Sequence, residues 1–269
     1  DAEIELRDIH KTFRTKNQVV QALGGIDLVI RPNEFLSIIG PTGCGKTTLL
    51  RVIASLTPPD SGQVLINGHV ATKPGPERAV VFQQFGLFPW KNVLDNVKFP
   101  LVVRKFPDNE ATSAAREQLR RVGLDNVESR FPHQLSGGMQ QRVGLARALA
   151  TNPGILLMDE PFGAIDAQTR ELLQEELQKL WAEARKTVVF ITHDLDEAVL
   201  MSDRIVVLSS GPGSVVREVV DVPLPRPRWE YDVRAHQEFA AVRNQIWRLL
   251  RGDLEAQQQE ATGTITAGG

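Results

Sequence analysis

The chain has 269 residues, enough for one large domain or two small ones, with 42% apolar and 24% charged side chains and a formal net charge of −2, the ordinary balance of a globular fold. That balance carries no basic excess of the kind nucleic acid demands, and a single cysteine, Cys44, excludes an intrachain disulfide framework and suits a reducing compartment. No apolar run approaches the roughly 18 to 20 residues of a membrane helix, and the opening DAEIELRDIH lacks a basic start and an apolar core, so no secretory signal is expected and any membrane span belongs to another chain.

In chain order, EIELRDI alternates as a half-buried strand does, and VVQALGGIDLVI supplies further strand-like pieces before the turn RPNE. A small antiparallel sheet is predicted there. Six apolar, β-rich runs with little alternation follow: FLSII (35–39), VLI (64–66), AVVF (79–82), ILLM (155–158), VVFI (188–191) and IVVL (205–208). Most read as strands buried on both faces, the habit of a parallel sheet between helical layers. Helical periods lie between and around them in KTTLLRVIAS, EATSAAREQLRRV, MQQRVGLARALA, QTRELLQEELQKLWAEA and DEAVLMS. Residues 86 to about 140 depart from this rhythm. They show no buried strand and read as helical with breaks at Pro89, Pro100, Pro107 and Pro132, a helical insertion into an α/β core. After PRPRW an amphipathic helix is predicted near 232–251, with Phe239, Val242, Ile246 and Leu249 recurring on one face. The closing EAQQQEATGTITAGG has little to bury and is expected to be disordered.

The strongest chemical signal is GPTGCGKTT, residues 40–48, between a buried strand and an amphipathic helix. Gly40, Pro41, Thr42, Gly43, Cys44, Gly45, Lys46, Thr47 and Thr48 form a loop whose backbone N–H groups and helix start can cradle a β-phosphate. Lys46 is placed to reach the β- and γ-phosphates and the Thr47 hydroxyl to bind Mg²⁺. Cys44 reads either as a reactive thiol beneath the nucleotide or, the preferred reading, as a small residue in a tight loop. A second site is ILLMDEP, in which a buried strand ends in Asp159, whose carboxylate can serve Mg²⁺, usually through water, and Glu160, placed to orient or deprotonate an attacking water; a strand ending in acids also arises by chance, and the phosphate loop ~110 residues upstream gives this one its weight. A third is LSGGM: Ser136 reads as an N-cap with Gly137 and Gly138 as an open helix start, which fits an anion site or simply a well-capped helix.

Taken together, GPTGCGKTT, LSGGM, ILLMDE, GAID and ITHD, in this order and at these spacings, resemble the nucleotide-binding subunit of an ATP-binding cassette (ABC) transporter, a likeness covering residues 3 to about 225. The fold this implies is a RecA-like P-loop NTPase core of α/β class, with an antiparallel β-subdomain in front and an inserted helical subdomain. The domain scheme that follows is a nucleotide-binding domain over 1–225, with its helical subdomain at about 86–150, and a C-terminal extension over 226–269. In this family two subunits pair head to tail around two ATP molecules, so the resemblance implies that Ser136, Gly137 and Gly138 act on ATP held by the other subunit, supplying donors where other phosphoryl-transfer enzymes use an arginine. It likewise implies that Gln83 senses Mg²⁺ and the attacking water, that His193 contacts the γ-phosphate, that Asp166 crosses the dimer interface, and that Phe13 stacks on adenine, although a lone aromatic also fits a core position. The acids of HDLDE (193–197) suit a helix N-terminus as well as they suit a metal. Met139 stands where the family often has Gln, and Gly163 and Ile165 where Ser and Leu are frequent, which puts a side-chain hydrogen bond and a hydroxyl near the interface in doubt.

The stretches LFPWKNVLDNV, FGAIDAQTR and VDVPLPRPR are similar to the ATPases of the nitrate, sulfonate and taurine group of bacterial importers. The resemblance implies an ATPase energising uptake of a small anion, peripheral to the cytoplasmic face of the bacterial inner membrane. Its implied partners are two permease subunits, docked where Phe88, Pro89 and Trp90 sit, and an extracytoplasmic binding protein. For Trp90, burial within the helical subdomain is the other reading. Importers of pyrimidine or thiamine precursors, an exporter subunit, and a soluble ATPase acting on DNA or ribosomes are the alternatives.

Overall fold

The computed structural model describes residues 3–15, 18–83, 86–163 and 165–266, the side chains of residues 184 and 253–266 excepted. Two sheets organise the chain. The first is antiparallel, ordered β2–β1–β4–β5, from β1 (Ile4–Arg14), β2 (Val19–Ile30), β4 (Ser61–Ile66) and β5 (His69–Val70). Its alternation is plain in β1, where Ile4, Leu6 and Ile9 are buried and Glu5 and Arg7 pair on the other face. The run VLI lies at the end of β4 and so belongs to this sheet; three apolar residues carry no signal that tells one sheet from the other.

The second sheet is the core, ordered β10–β9–β3–β8–β7–β6. It contains β3 (Phe35–Ile39), β6 (Arg78–Val81), β7 (Ile155–Asp159), β8 (Thr187–Ile191) and β9 (Arg204–Leu208), paired in parallel, with β10 (Val216–Asp221) antiparallel at the edge. Every residue of β3, β7 and β8 is buried, as the absence of alternation predicts. Side chains of period two then sort into separate layers: Leu36, Ile38, Val206 and Leu208 meet α1 (Lys46–Ile53) and the antiparallel sheet, whereas Ile39, Ile205 and Val207 meet α6 (Leu195–Met201) and α7 (Gln237–Thr266).

Phe35, Leu156, Met158 and Phe190 share a third layer with α2 (Val93–Val103), α3 (Asp108–Arg121), α4 (Gly137–Leu149) and α5 (Ala167–Ala184). Between β6 and β7 there is no strand among the described residues. Pro100, expected to break a helix, lies inside α2. Burial of Val93, Val97 and Leu101 along one face, and an Asn92 side chain that caps the first turn at Asp95 N, outweigh the lost N–H. In α7, Phe239, Val242 and Ile246 are buried against the core, as their spacing predicts, but the helix starts at Gln237 behind a short 3₁₀ turn at Val233–Ala235 and continues through Thr266, so residues 255–266, expected to be disordered, extend it beyond the apolar period; residues 267–269 lie outside the described residues.

Candidate nucleotide site at the carboxyl edge of the core sheet

Parallel pairing of β3, β8, β7 and β6 brings their carboxyl ends to one edge, the usual place for a ligand in such a sheet. The loop 40–45 leaves β3 there and turns into α1. Gly45, the residue before the helix, is left-handed at φ +89°, and a Cβ on it would lie 2.7 Å from the Ala22 carbonyl oxygen of β2. Both facts demand glycine. Gly45→Ala should therefore destabilise the fold by about 1–3 kcal/mol in chemical denaturation.

Lys46 is buried, and its Nζ donates to the carbonyls of Gly40 and Pro41 at 2.8 and 3.0 Å, so the ammonium is held under the loop mouth. Thr47 Oγ1 donates to Asp159 Oδ1 at 3.1 Å, uniting the two residues singled out for a cation although 112 positions separate them. Burial raises the Asp159 carboxyl above its ordinary range, with neighbouring Glu160 adding to the rise and the Thr47 bond, Arg51 and Lys46 opposing it. Cys44 is buried beneath the loop within the apolar layer, which is the preferred small-residue reading rather than that of an exposed thiol. A Cβ on Gly40 would come within 2.7 Å of its sulfur.

Glu160 follows Asp159 with φ +45°, a left-handed conformation that costs a non-glycine residue on the order of 1 kcal/mol. Its N–H donates to the Ile191 carbonyl at 3.0 Å, extending the β7–β8 ladder, and the turn delivers Oε2 to 3.1 Å from His193 Nδ1. Gln83, two residues beyond β6, is exposed; a Cβ on Gly163 would be 3.7 Å from both Gln83 Nε2 and Glu160 Oε2, so Gln83 borders the same site. Phe13, at the far end of β1, is 45% exposed, with Lys11 Nζ 5.7 Å from its ring centroid. That removes the core reading and leaves an open aromatic face.

The remaining residues lie elsewhere. Ser136 caps α4, accepting from Met139 N at 3.3 Å; it and Gly137 are exposed, and no hydrogen bond among the described residues joins Ser136, Gly137 or Gly138 to the loop 40–48. Gly138 is buried, and a Cβ on it would come within 2.7 Å of Thr169 Cγ2 on α5, so its missing side chain permits close helix packing. Asp166 caps α5, accepting from Thr169 N at 3.0 Å, and the Thr169 N–H and hydroxyl hold its carboxyl below the usual range. The acids of HDLDE are each engaged: Asp194 caps α6, Asp196 pairs with Arg243 of α7 at 2.6 Å, and Glu197 is buried with Thr192 and Gln174. Among the described residues no group of three or more His, Cys, Asp and Glu is placed to hold a metal.

One residue escaped sequence reasoning. Ser214, fully buried in the turn before β10, donates from Oγ to the Ala22 carbonyl at 2.9 Å and touches the Cys44 carbonyl, clamping the back of the loop to β2. The only signal for it is the surrounding run SSGPGS, which reads as an ordinary turn.

The sequence pattern of the family described as ABC transporter matches residues 23–163. Among curated proteins the chain is 49% identical to the bicarbonate transport ATP-binding protein CmpC of Synechococcus elongatus, over 98% of this chain but only 40% of that longer protein. It is 43% identical to the nitrate import ATP-binding protein NrtD of the same species, over 90% of this chain and 89% of the relative. Among solved structures, the dimeric post-hydrolysis state of the ATP-binding cassette MJ0796 bound to ADP and Pi superposes with a TM-score of 0.73 at 35% identity, covering 81% of this chain and 98% of that one.

Proposed function

Because the chain belongs to the ABC transporter family and is an ATPase of that family, we propose that it energises uptake of a small anion through two permease subunits, working as a head-to-tail dimer on the cytoplasmic face of a bacterial inner membrane. Nitrate and bicarbonate lead as cargo because the named relatives import or transport them; sulfonates are anions too, and the zwitterion taurine carries the same sulfonate group. An extracytoplasmic binding protein delivers the solute. In this reading residues 1–225 form the cassette, residues about 86–150 its helical subdomain, and 226–269 a C-terminal extension whose helix packs on it through Phe239, Val242 and Ile246. No described helix is long and apolar enough to cross a membrane, so the permeases supply the spans.

The observation that carries the chemistry is the pair of contacts at the sheet edge, Thr47 with Asp159 and Glu160 with His193. Thr47 Oγ1 and Asp159 Oδ1 are hard oxygen donors brought within 3.1 Å of each other, a donor set that suits Mg²⁺. The two residues would hold Mg²⁺, with Gln83 at the pocket border, and the ion when bound would neutralise charge developing on the β- and γ-phosphate oxygens. Lys46 swings from its carbonyl acceptors onto those phosphates and Phe13 stacks on the adenine; Glu160 accepts a proton from the water whose oxygen bonds to the γ-phosphorus as the bond to the β–γ bridging oxygen breaks and ADP leaves, while His193 contacts the γ-phosphate and fixes the Glu160 carboxylate. Ser136, Gly137 and Asp166 are presented outward for the other subunit.

Permease docking is supported by a groove of about 500 Å³ at the end of β6, lined by Phe82, Phe88, Phe99, Val103 and Arg147. Trp90 is 72% exposed, and its ring lies 5.6 Å, tilted, from that of Phe88, which lines the groove. Such an exposed aromatic next to an apolar groove has the character of a binding hot spot. Trp90→Ala should weaken capture of the permeases by about tenfold or more while ATP turnover by the isolated subunit stays unchanged, as read by pull-down and phosphate release. The cargo is tested by co-expressing the chain with the permease and binding-protein genes beside its own and measuring ATP-dependent uptake of nitrate, bicarbonate and taurine into vesicles. Uptake of a neutral or cationic vitamin precursor in their place overturns the anion reading.

A further inference from the structure

One buried acid, Glu197, one half-buried acid, Asp194, and one arginine remain outside the chemistry above. Arg170, in the first turn of α5, donates from Nη2 to the Ile165 carbonyl at 3.1 Å, gripping the segment that carries Asp166. The same guanidinium lies between two carboxylates of the next crossover, with Nη1 3.6 Å from Asp194 Oδ2 and Nε 3.9 Å from Glu197 Oε1. Arg170 Nε is buried without a hydrogen-bond partner among the described residues. Glu197 accepts from Gln174 Nε2 of α5 at 3.0 Å and from Thr192 Oγ1 at 2.5 Å. The Thr192 hydroxyl in turn accepts from Asp194 N at 3.0 Å, so both its hydrogen-bonding roles are used. Thr192 is the residue before His193, whose Nδ1 meets Glu160. A chain of contacts therefore runs from the exposed Asp166 loop through the Ile165 carbonyl, Arg170, its ion pair with Glu197, and Thr192, whose backbone continues into His193.

We propose that Arg170 and Glu197 are positioning residues for ATP hydrolysis: they tie the Asp166 loop to the His193 turn, so that a displacement of that loop at a dimer interface changes how His193 orients Glu160. The proposal rests on the site reading above and adds to it the route by which the interface reaches the reacting end of the pocket. Neither residue touches the phosphate loop, and both side chains exert their effect through groups they hydrogen-bond or pair with. Charge is central, because an arginine between two carboxylates resists rearrangement as a neutral contact does not.

The test is steady-state ATPase of the full chain carrying Arg170→Gln or Glu197→Gln, alone and combined with His193→Ala. Each single variant should lose about tenfold or more in kcat with the KM for ATP within about twofold, and should lose positive cooperativity in ATP. In the His193→Ala background neither should lower the residual rate further. Melting temperature and binding of a fluorescent ATP analogue serve as the folding check. Wild-type turnover in both variants, losses that multiply with His193→Ala, or unfolding of both variants overturns the proposal, the last by assigning the path to stability alone. If His193→Ala itself turns over normally, the site reading falls and the proposal with it. If His193→Ala is inactive while Glu197→Gln is normal, only the path is wrong.

Discussion

Glu160→Gln should abolish ATP turnover, with a loss of about two to four orders of magnitude in kcat, and should leave ATP bound in a stable dimer. The substitution is nearly isosteric, and the amide oxygen can still accept from His193 Nδ1 at the 3.1 Å that separates the two side chains in the native site. The backbone that delivers it, φ +45° and an N–H bonded to Ile191, does not depend on the charge. Lys46, Thr47 and Asp159 are untouched, so the groups assigned to the phosphates and the cation remain. What is lost is the ability to take a proton from water. Phosphate release measured in steady state, with size-exclusion chromatography in the presence of ATP, reads both halves of this expectation. Turnover within a few fold of the native chain removes Glu160 from the role of base, and an ATP-bound monomer removes the closed dimer.

The grip on nucleotide was legible in the sequence because it is local. A phosphate loop needs its glycines, its lysine and its helix start within nine residues, and β3, β7 and β8 announce themselves by unbroken apolar runs. Elements whose identity depends on a distant partner were harder to read. The VLI of β4 could not declare its sheet, and Pro100 looked like a helix break because the burial of Val93, Val97 and Leu101 that tolerates it is a tertiary fact. The same holds for side chains with two equally good local explanations. Glu197 matched an acid placed for a helix dipole, and only the fold shows it buried 27 residues from Arg170 in sequence and 3.9 Å from it in space. Ser214 meets a loop 170 residues away.

Ser136 differs from all of these, since the group it is expected to serve belongs to another copy of the chain. Within one chain it does no more than cap α4, and its exposure together with that of Gly137 leaves the helix start facing outward. A mixing experiment isolates its action. Lys46→Ala removes the phosphate cation from one preparation, and Ser136→Glu places a carboxylate where an anion is expected in the other, so each homodimer should be inactive. If Ser136 acts on the partner's ATP, a mixed dimer contains one site with both defects and one with neither. Random mixing in equal amounts makes half the dimers mixed, so recovery should approach about a quarter of native turnover when sites are independent, and less when they are cooperative. If Ser136 acts on ATP held by its own chain, every site in the mixture carries one lesion and no activity returns. The same silence follows if the chains work as separate monomers. Recovered activity that dilutes away with the dimer, at constant ATP, is therefore the result that places the LSGGM helix across the interface.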